Sequence, residues 1–214
     1  MAAKTASDLK KELVHARHEI KLLKALLKAR DEETERLKKE TRKLVELAYM
    51  DMLTGLPRRE PALDHLQREL RDSFTTKNPR SKDATIGILS MDLVGFKRIN
   101  DDIGHTAGDD VLRRVGHILK VAIRPKDLAA RLGGDEFLAV LPGAKTDTLQ
   151  MIAERISTRI LLIGNGVSVR IGGIVYKGKS GVTAELLIDA ADRMERQLHS
   201  EGKVGIRIEE YQEP

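Results

Sequence analysis

Residues 133–136, Gly-Gly-Asp-Glu, are the part of the sequence best suited to chemistry, because bare backbone and two acids stand side by side. Apolar runs of strand length flank them, with Leu128-Ala-Ala before and Leu138-Ala-Val-Leu after, so the pattern predicts a β-hairpin whose tip carries the glycines and acids. Hairpin tips are exposed and can carry function. Two interpretations follow: a site for a metal-bound phosphate, or an ordinary Gly-Gly turn.

A second group of polar residues lies upstream of this hairpin. Asp92 ends an apolar strand, where a carboxylate needs a cation or a hydrogen-bond donor. Mg²⁺ is usually bound by one or two protein carboxylates, which Asp92 and one acid of the hairpin would supply. Asn100 offers an amide, and Asp109 accepts two donors, so together they match the hydrogen-bonding edge of guanine.

Composition excludes several other functions. The 214 residues include no cysteine, so disulfides, thiol nucleophiles and zinc-thiolate sites are excluded. The formal charge of +5 lies mostly in residues 1–50, with 13 Lys and Arg against 9 Asp and Glu, and the sequence has no Trp and only 3 Phe and 3 Tyr to stack on bases. We therefore expect no nucleic-acid binding. The polar start and the lack of a membrane-length apolar run predict a soluble, cytoplasmic protein with no membrane contact.

Residues 1–50 carry a seven-residue repeat and predict a coiled-coil dimerisation helix. Ten of thirteen repeat positions are apolar, and neither Gly nor Pro interrupts residues 4–54. A parallel homodimer through this helix is the favoured interpretation, and a single amphipathic helix packed on the rest of the chain is the alternative. The repeat positions are Ala6, Leu9, Leu13, Ala16, Ile20, Leu23, Leu27, Arg30, Thr34, Leu37, Thr41, Leu44 and Ala48.

Residues 51–214 predict a second domain of the α/β or α+β class, with one sheet covered by helices. Strands are expected near 85–92, 167–176 and 204–208, in addition to the hairpin. Helices are expected near 59–74, 108–123, 146–162 and 184–199, and a polar loop at 75–83.

Together these segments resemble the GGDEF family of diguanylate cyclases. The matching blocks begin at Asp51-x-Leu-Thr-Gly-Leu, continue with Phe96-Lys97-x-x-Asn100-Asp101 and Gly108-Asp109, and end with Gly133-Gly-Asp-Glu-Phe137. Several blocks in the right order are far more specific than one. The resemblance implies a mostly antiparallel sheet like that of nucleotidyl cyclases and the polymerase palm, and an enzyme that joins two GTP into cyclic di-GMP as a dimer.

The resemblance also implies roles for individual residues. Metal ligands for Mg²⁺ or Mn²⁺ would be Asp92, the carbonyl of Leu93, Asp135 and Glu136, and the last two would also be catalytic. Substrate contacts would come from Phe96, Lys97, Asn100, Asp109, Gly133, Gly134 and Lys203. Arg124 and Asp127 stand at the spacing of the family's inhibitory product site, for which a surface ion pair is the alternative interpretation.

The C-terminal block departs from the family pattern. His199 stands where a phosphate-contacting Lys is usual, Lys203 replaces an Arg, and Val94 replaces a second Asp after Asp92. A neutral or partly charged His binds phosphate less strongly than Lys. Two alternatives to an active cyclase therefore stay open: a catalytically weak receptor for GTP or cyclic di-GMP, and a dimerising coil with a globular scaffold.

Overall fold

A computed structural model describes residues 6–74, 84–178 and 181–212, so the predicted loop at 75–83 lies outside the described residues. The described chain divides into two units between Ala48 and Tyr49. The first unit is part of one helix, and the second contains the sheet and the remaining helices.

Helix α1 spans Ala6–Tyr49, a length of 44 residues, as the heptad repeat predicts. Ion pairs between neighbouring turns, such as Lys28 with Glu32 and Lys38 with Glu35, stabilise its polar surface. The large apolar side chains of its stripe are between 49% and 60% exposed in the single chain. They are Leu13, Ile20, Leu23, Leu27, Leu37 and Leu44. In the described part of the chain, no helix is apolar over a length that would cross a bilayer.

The second unit is built on a five-stranded sheet with the order β2-β3-β1-β4-β5. Every neighbouring pair is antiparallel except β4 and β5, which are parallel, so the sheet is mostly antiparallel as expected. The strands are β1 (Ile86–Val94), β2 (Leu128–Gly133), β3 (Glu136–Pro142), β4 (Ser168–Tyr176) and β5 (Ile206–Glu210). The helices are α2 (Arg59–Phe74), α3 (Phe96–Asp102), α4 (His105–Ala122), α5 (Thr146–Leu161) and α6 (Ala184–Ser200).

Alternation of side chains along the strands divides the core into two layers, one on each face of the sheet. On one face, Leu89 and Met91 of β1 pack with apolar residues of α4 and α5, such as Val115 and Ile156. On the other face, Ile86 and Ile88 of the same strand pack with residues of α2 and α6. The central strand β1 is therefore covered on both faces, and the ends of the strands are left to carry the site.

Helix α3 is the one described helix that the hydrophobic pattern did not predict. It has only 7 residues, too few for a periodic apolar stripe, and it buries only Ile99. The next helix begins at His105 rather than near Gly108, because Gly104 separates the two helices. The last strand, expected near 204–208, is found two residues later at Ile206–Glu210.

Candidate active site

The β2–β3 hairpin places the Gly-Gly-Asp-Glu segment at an exposed tip, as predicted. Gly133 pairs with Glu136, so Gly134 and Asp135 form the two-residue turn. Gly134 has a φ of +47°, which glycine adopts without strain. A Cβ atom at Gly133 or Gly134 would meet no atom of the described chain within 4 Å. Packing therefore does not require glycine at position 133, and the open space above both residues is available to a ligand.

Arg131 holds the hairpin tip against the turn that follows α1. Its Nε and NH2 nitrogens donate to the Gly134 carbonyl at 2.9 and 2.6 Å, and NH1 donates to Asp51 at 3.0 Å. Asp51 also accepts from the backbone and hydroxyl of Thr54 at 2.9 and 2.6 Å. Burial alone would raise the pKa of Asp51, but the Thr54 hydrogen bonds and the Arg131 charge lower it below its ordinary value. Asp51 and Thr54 belong to a block that matched the family pattern, but no role was predicted for them or for Arg131.

Asp92 lies beside the hairpin acids at the end of β1. It is the direct cross-strand partner of Glu136, so the two side chains project from the same face of the sheet. The next backbone N–H, that of Leu93, donates to the Asp135 carbonyl at 3.3 Å, which joins the turn to β1. The fold thus brings together Asp92, Leu93, Asp135 and Glu136, which the sequence separates by about 40 positions.

The environment of the Asp92 carboxyl strongly perturbs its pKa. Burial and the nearby Asp135 charge raise its pKa to about 6, against the opposing effect of Arg170, and Glu195 adds to the rise. Arg170 is the cross-strand partner of Asp92 on β4, and its NH2 donates to the Asp92 carboxylate. Its Nε donates to Glu195 of α6 at 2.7 Å, and NH2 lies 3.1 Å from the Nδ1 atom of His199.

Sequence reasoning missed Arg170 and Glu195, although both left a signal. Arg170 is the only charged residue in β4, whose other residues are Ser, Gly, Tyr or aliphatic. Glu195 follows Ala191 by four positions and precedes Leu198 by three, so it falls on the buried face of α6. A charge in an apolar strand and an acid on an apolar helix face predict each other, because buried charges require partners.

Asn100 and Asp109, the two residues predicted to bind the guanine edge, also lie together. Gly108 is buried in α4, and a Cβ atom there would overlap the Oδ1 atom of Asn100. This close approach sets Asn100 of α3 against the turn of α4 that carries Asp109. Asp109 is half-buried, and its carboxylate is 3.9 Å from Arg113 on the next turn. One amide and one carboxylate therefore come from adjacent positions on α3 and α4.

Other predicted residues have different surroundings. Phe96 packs against the core and Lys97 is exposed, both on the first turn of α3. The Lys203 ammonium pairs with Glu201 at 2.8 Å. Asp127 accepts from the backbone N–H of Arg124 at 2.9 Å, and the Arg124 guanidinium has no ion-pair partner among the described residues. Among the described residues Arg124 and Asp127 are thus joined by a backbone hydrogen bond, and product binding at this turn stays a prediction.

Comparison with known proteins identifies relatives over the second unit. The family described as "Diguanylate cyclase, GGDEF domain" matches residues 48–204. The bifunctional diguanylate cyclase/cyclic di-GMP phosphodiesterase MucR of Pseudomonas aeruginosa is 33% identical over 160 residues, which cover 72% of this chain and 22% of MucR. Diguanylate cyclase DgcP of the same species is 36% identical over 113 residues, which cover 53% of this chain and 16% of DgcP. The chain therefore spans less than a quarter of the length of either relative.

Solved structures show the same fold. The coiled coil and GGDEF domain of DgcB from Caulobacter crescentus, solved in complex with c-di-GMP, superposes with a TM-score of 0.77 at 24% identity, covering 87% of this chain and 99% of that one. The GGDEF domain of TpbB from Pseudomonas aeruginosa superposes with a TM-score of 0.65 at 31% identity, covering 74% of this chain and 93% of that one. With a sequence match over most of its length and the fold of solved relatives, the chain belongs to the GGDEF family of diguanylate cyclase domains.

Proposed function

We propose that the protein is a diguanylate cyclase that condenses two GTP into cyclic di-GMP and releases pyrophosphate. The observation that carries this proposal is the convergence of Asp92 with Asp135 and Glu136 beside the open backbone of Gly133 and Gly134. Three acids at the edge of a sheet suit a triphosphate with its metal, and the glycines let the phosphates approach the backbone.

The donor set fits Mg²⁺ or Mn²⁺. The acids that flank the site are hard oxygen ligands. Burial, together with the nearby Asp135 charge, raises the Asp92 pKa to about 6, and a cation bound between the acids would offset both effects. Asp92, Asp135 and Glu136 would hold the ion together with the Leu93 carbonyl. A bound divalent ion neutralises the charge that develops on the phosphate oxygens.

The remaining residues divide into guanine recognition and orientation of the reacting groups. Asn100 and Asp109 would bind the guanine edge, since the carboxylate accepts from N1-H and N2 while the amide donates to O6. Glu136 is exposed at the start of β3, where it can accept the proton of a 3′-hydroxyl. The 3′-oxygen of one GTP then attacks the α-phosphorus of the other in line with the departing pyrophosphate.

This reaction requires two copies of the domain. Each domain presents one guanine reader and one group of acids, whereas the product joins two nucleotides, so two domains must face each other. We propose that α1 supplies this dimer as a parallel coiled coil, because its heptad stripe is half exposed in the single chain. The coil would raise the effective concentration of one GTP-loaded domain near the other.

We also propose product inhibition at Arg124 and Asp127. The two residues form the turn between α4 and β2, and β2 leads directly into the hairpin that carries the acids. The Arg124 guanidinium, which forms no ion pair within the part of the chain that the structure describes, offers a planar fork of donors suited to guanine or phosphate. Product held on this turn would keep the two domains from facing each other.

A catalytically weak receptor for GTP or cyclic di-GMP is the second candidate. It is favoured by the engagement of two cations that a phosphate would otherwise use: Lys203 pairs with Glu201, and Arg170 pairs with Asp92 and Glu195. A receptor would bind GTP in the presence of Mg²⁺ and release no pyrophosphate.

Incubation of the pure protein with GTP and Mg²⁺, followed by chromatography of the products, separates the two candidates. Cyclic di-GMP and pyrophosphate are expected from wild type. Glu136→Gln keeps the shape of the side chain but removes its charge, so product should fall by at least a hundredfold with unchanged circular dichroism. Glu154→Gln, a surface change on α5, serves as the matched control. Near-normal turnover by Glu136→Gln would exclude the role given to Glu136, and bound GTP without product in wild type would identify a receptor.

A further inference from the structure

Arg170 is a partly buried cation and the only charged residue of β4. Its side chain is 13% exposed, and it donates through Nε to Glu195 at 2.7 Å and through NH2 to Asp92. The same NH2 nitrogen lies 3.1 Å from His199. One guanidinium thus contacts side chains from the central strand β1 and from two successive turns of α6.

The three partners of Arg170 are arranged like the ligands of a cation. One ligand atom from each of Asp92, Glu195 and His199 lies within 4.8 Å of the others. The Asp92 and Glu195 side chains are only 24% and 11% exposed, and two largely buried carboxylates this close require positive charge between them. In this chain a side chain supplies that charge.

We infer that Arg170 is a built-in cation of the Asp92–Glu195 pair and that it controls metal affinity by competing with the metal for the Asp92 carboxylate. Arg170 is therefore a positioning residue that acts through Asp92. The inference rests on the proposed function only in taking Asp92 as a metal ligand, and it does not depend on turnover.

Opposite effects of the two members of the ion pair follow from their charges. Arg170 repels a divalent ion and occupies one oxygen of Asp92, so removing it strengthens metal binding. Glu195 draws the guanidinium toward α6 and adds negative charge, so neutralising it leaves Arg170 on Asp92 and weakens metal binding. Even at the dielectric constant of water, a unit charge about 6 Å from a divalent ion changes the binding constant roughly tenfold.

Titration of the full chain with Mn²⁺ in the absence of nucleotide tests the inference, with free Mn²⁺ measured by electron paramagnetic resonance. Arg170→Gln should bind Mn²⁺ roughly tenfold more tightly than wild type, and Glu195→Gln correspondingly more weakly. Arg170→Lys keeps the charge and should stay close to wild type. Addition of Asp92→Asn to Arg170→Gln should abolish the gain, since the gained affinity belongs to that carboxylate.

Lys177→Gln is the matched control for net charge. Lys177 follows the far end of β4, seven residues or roughly 23 Å along the strand from Arg170, and pairs with Glu210 of β5. The Lys177→Gln substitution removes the same charge as Arg170→Gln without affecting a contact of Asp92, so Mn²⁺ affinity should be unchanged. An equal gain in Lys177→Gln and Arg170→Gln would mean that overall charge is responsible and would overturn the inference.

Arg170→Gln leaves Glu195 without its partner and can unfold the domain. In that case Glu195→Gln, which keeps an acceptor for Arg170, tests the inference, and Mn²⁺ binding that is unchanged or tighter in this variant overturns it. If Arg170→Gln folds, Mn²⁺ binding no tighter than that of wild type also overturns the inference. Cyclic di-GMP production in the same samples tests the proposed function separately. The predicted order of Mn²⁺ affinities without product would overturn only the proposed function, and product with equal affinities would overturn only the inference.

Discussion

Replacement of Arg131 by Met should destabilise the second unit, because it breaks the partly buried ion pair with Asp51 and releases the Gly134 carbonyl. The Arg131 and Asp51 side chains are 13% and 19% exposed. Removing one partner of a buried pair costs about 3–5 kcal/mol, but Asp51 keeps its two hydrogen bonds from Thr54, so we expect about 2–3 kcal/mol. The released hairpin should also lower cyclase activity at least tenfold if Asp135 and Glu136 act as proposed, roughly 1.4 kcal/mol in the barrier.

Urea unfolding followed by tyrosine fluorescence measures this loss in the second unit, since Tyr49, Tyr176 and Tyr211 all belong to it. A loss of about 2–3 kcal/mol moves the midpoint by about 1 M. Asp51→Asn and the double variant complete a thermodynamic cycle, in which we expect a coupling of about 1.5 kcal/mol or more. Additive effects within about 0.5 kcal/mol would refute the reasoning.

The pH dependence of the same cycle provides a second test. The pKa of Asp51 is lowered in the folded protein, so the stabilisation it contributes is fully present above its ordinary value of 3.8 and is lost as the pH falls through the lowered value. The coupling with Arg131 should fade in that acidic range. Arg114→Met is the control, because Arg114 and Asp110 form an exposed pair at 2.8 Å whose loss should cost under about 1 kcal/mol.

Three further changes have defined outcomes. Asp92→Asn should leave the metal-free protein at least as stable as wild type at pH 7.5, because a pKa raised to about 6 means that the charged carboxylate destabilises the fold above that pH. The gain in stability of the variant should vanish below pH 3.8. A clear loss of melting temperature in Asp92→Asn at pH 7.5 would contradict this expectation. Leu23→Glu with Leu27→Glu should convert dimers to monomers in ultracentrifugation and make specific activity depend on protein concentration; full activity at nanomolar enzyme would exclude the coil as the dimer contact. Arg124→Ala should sustain turnover as product accumulates, with an unchanged initial rate, and equal calorimetric affinity of wild type and variant for cyclic di-GMP would remove the inhibitory site.

Local sequence patterns were sufficient for elements whose hydrophobic period is long enough to read. The heptad stripe of α1, the helix at 59–74 and the hairpin around Gly133 were predicted within a few residues of their observed bounds. The prediction failed for α3, because 7 residues with one buried side chain carry no period. The three-residue error at the start of α4 followed from the same omission.

The residues of the candidate site could also be named from the sequence, because the acids and glycines form contiguous blocks. Asp92, Asp135 and Glu136 were named from their neighbours in the chain, and the order of the blocks identified the family. Chain pattern does not report which residues face each other across a sheet. Arg170 became a partner of Asp92 only through the β1–β4 register, and Glu195 joined them because α6 packs over β4. Likewise, the contact of Arg131 with Asp51 joins residues 80 positions apart. Such contacts depend on tertiary packing, since burial decides whether a charge needs a partner and the register decides which partner it receives.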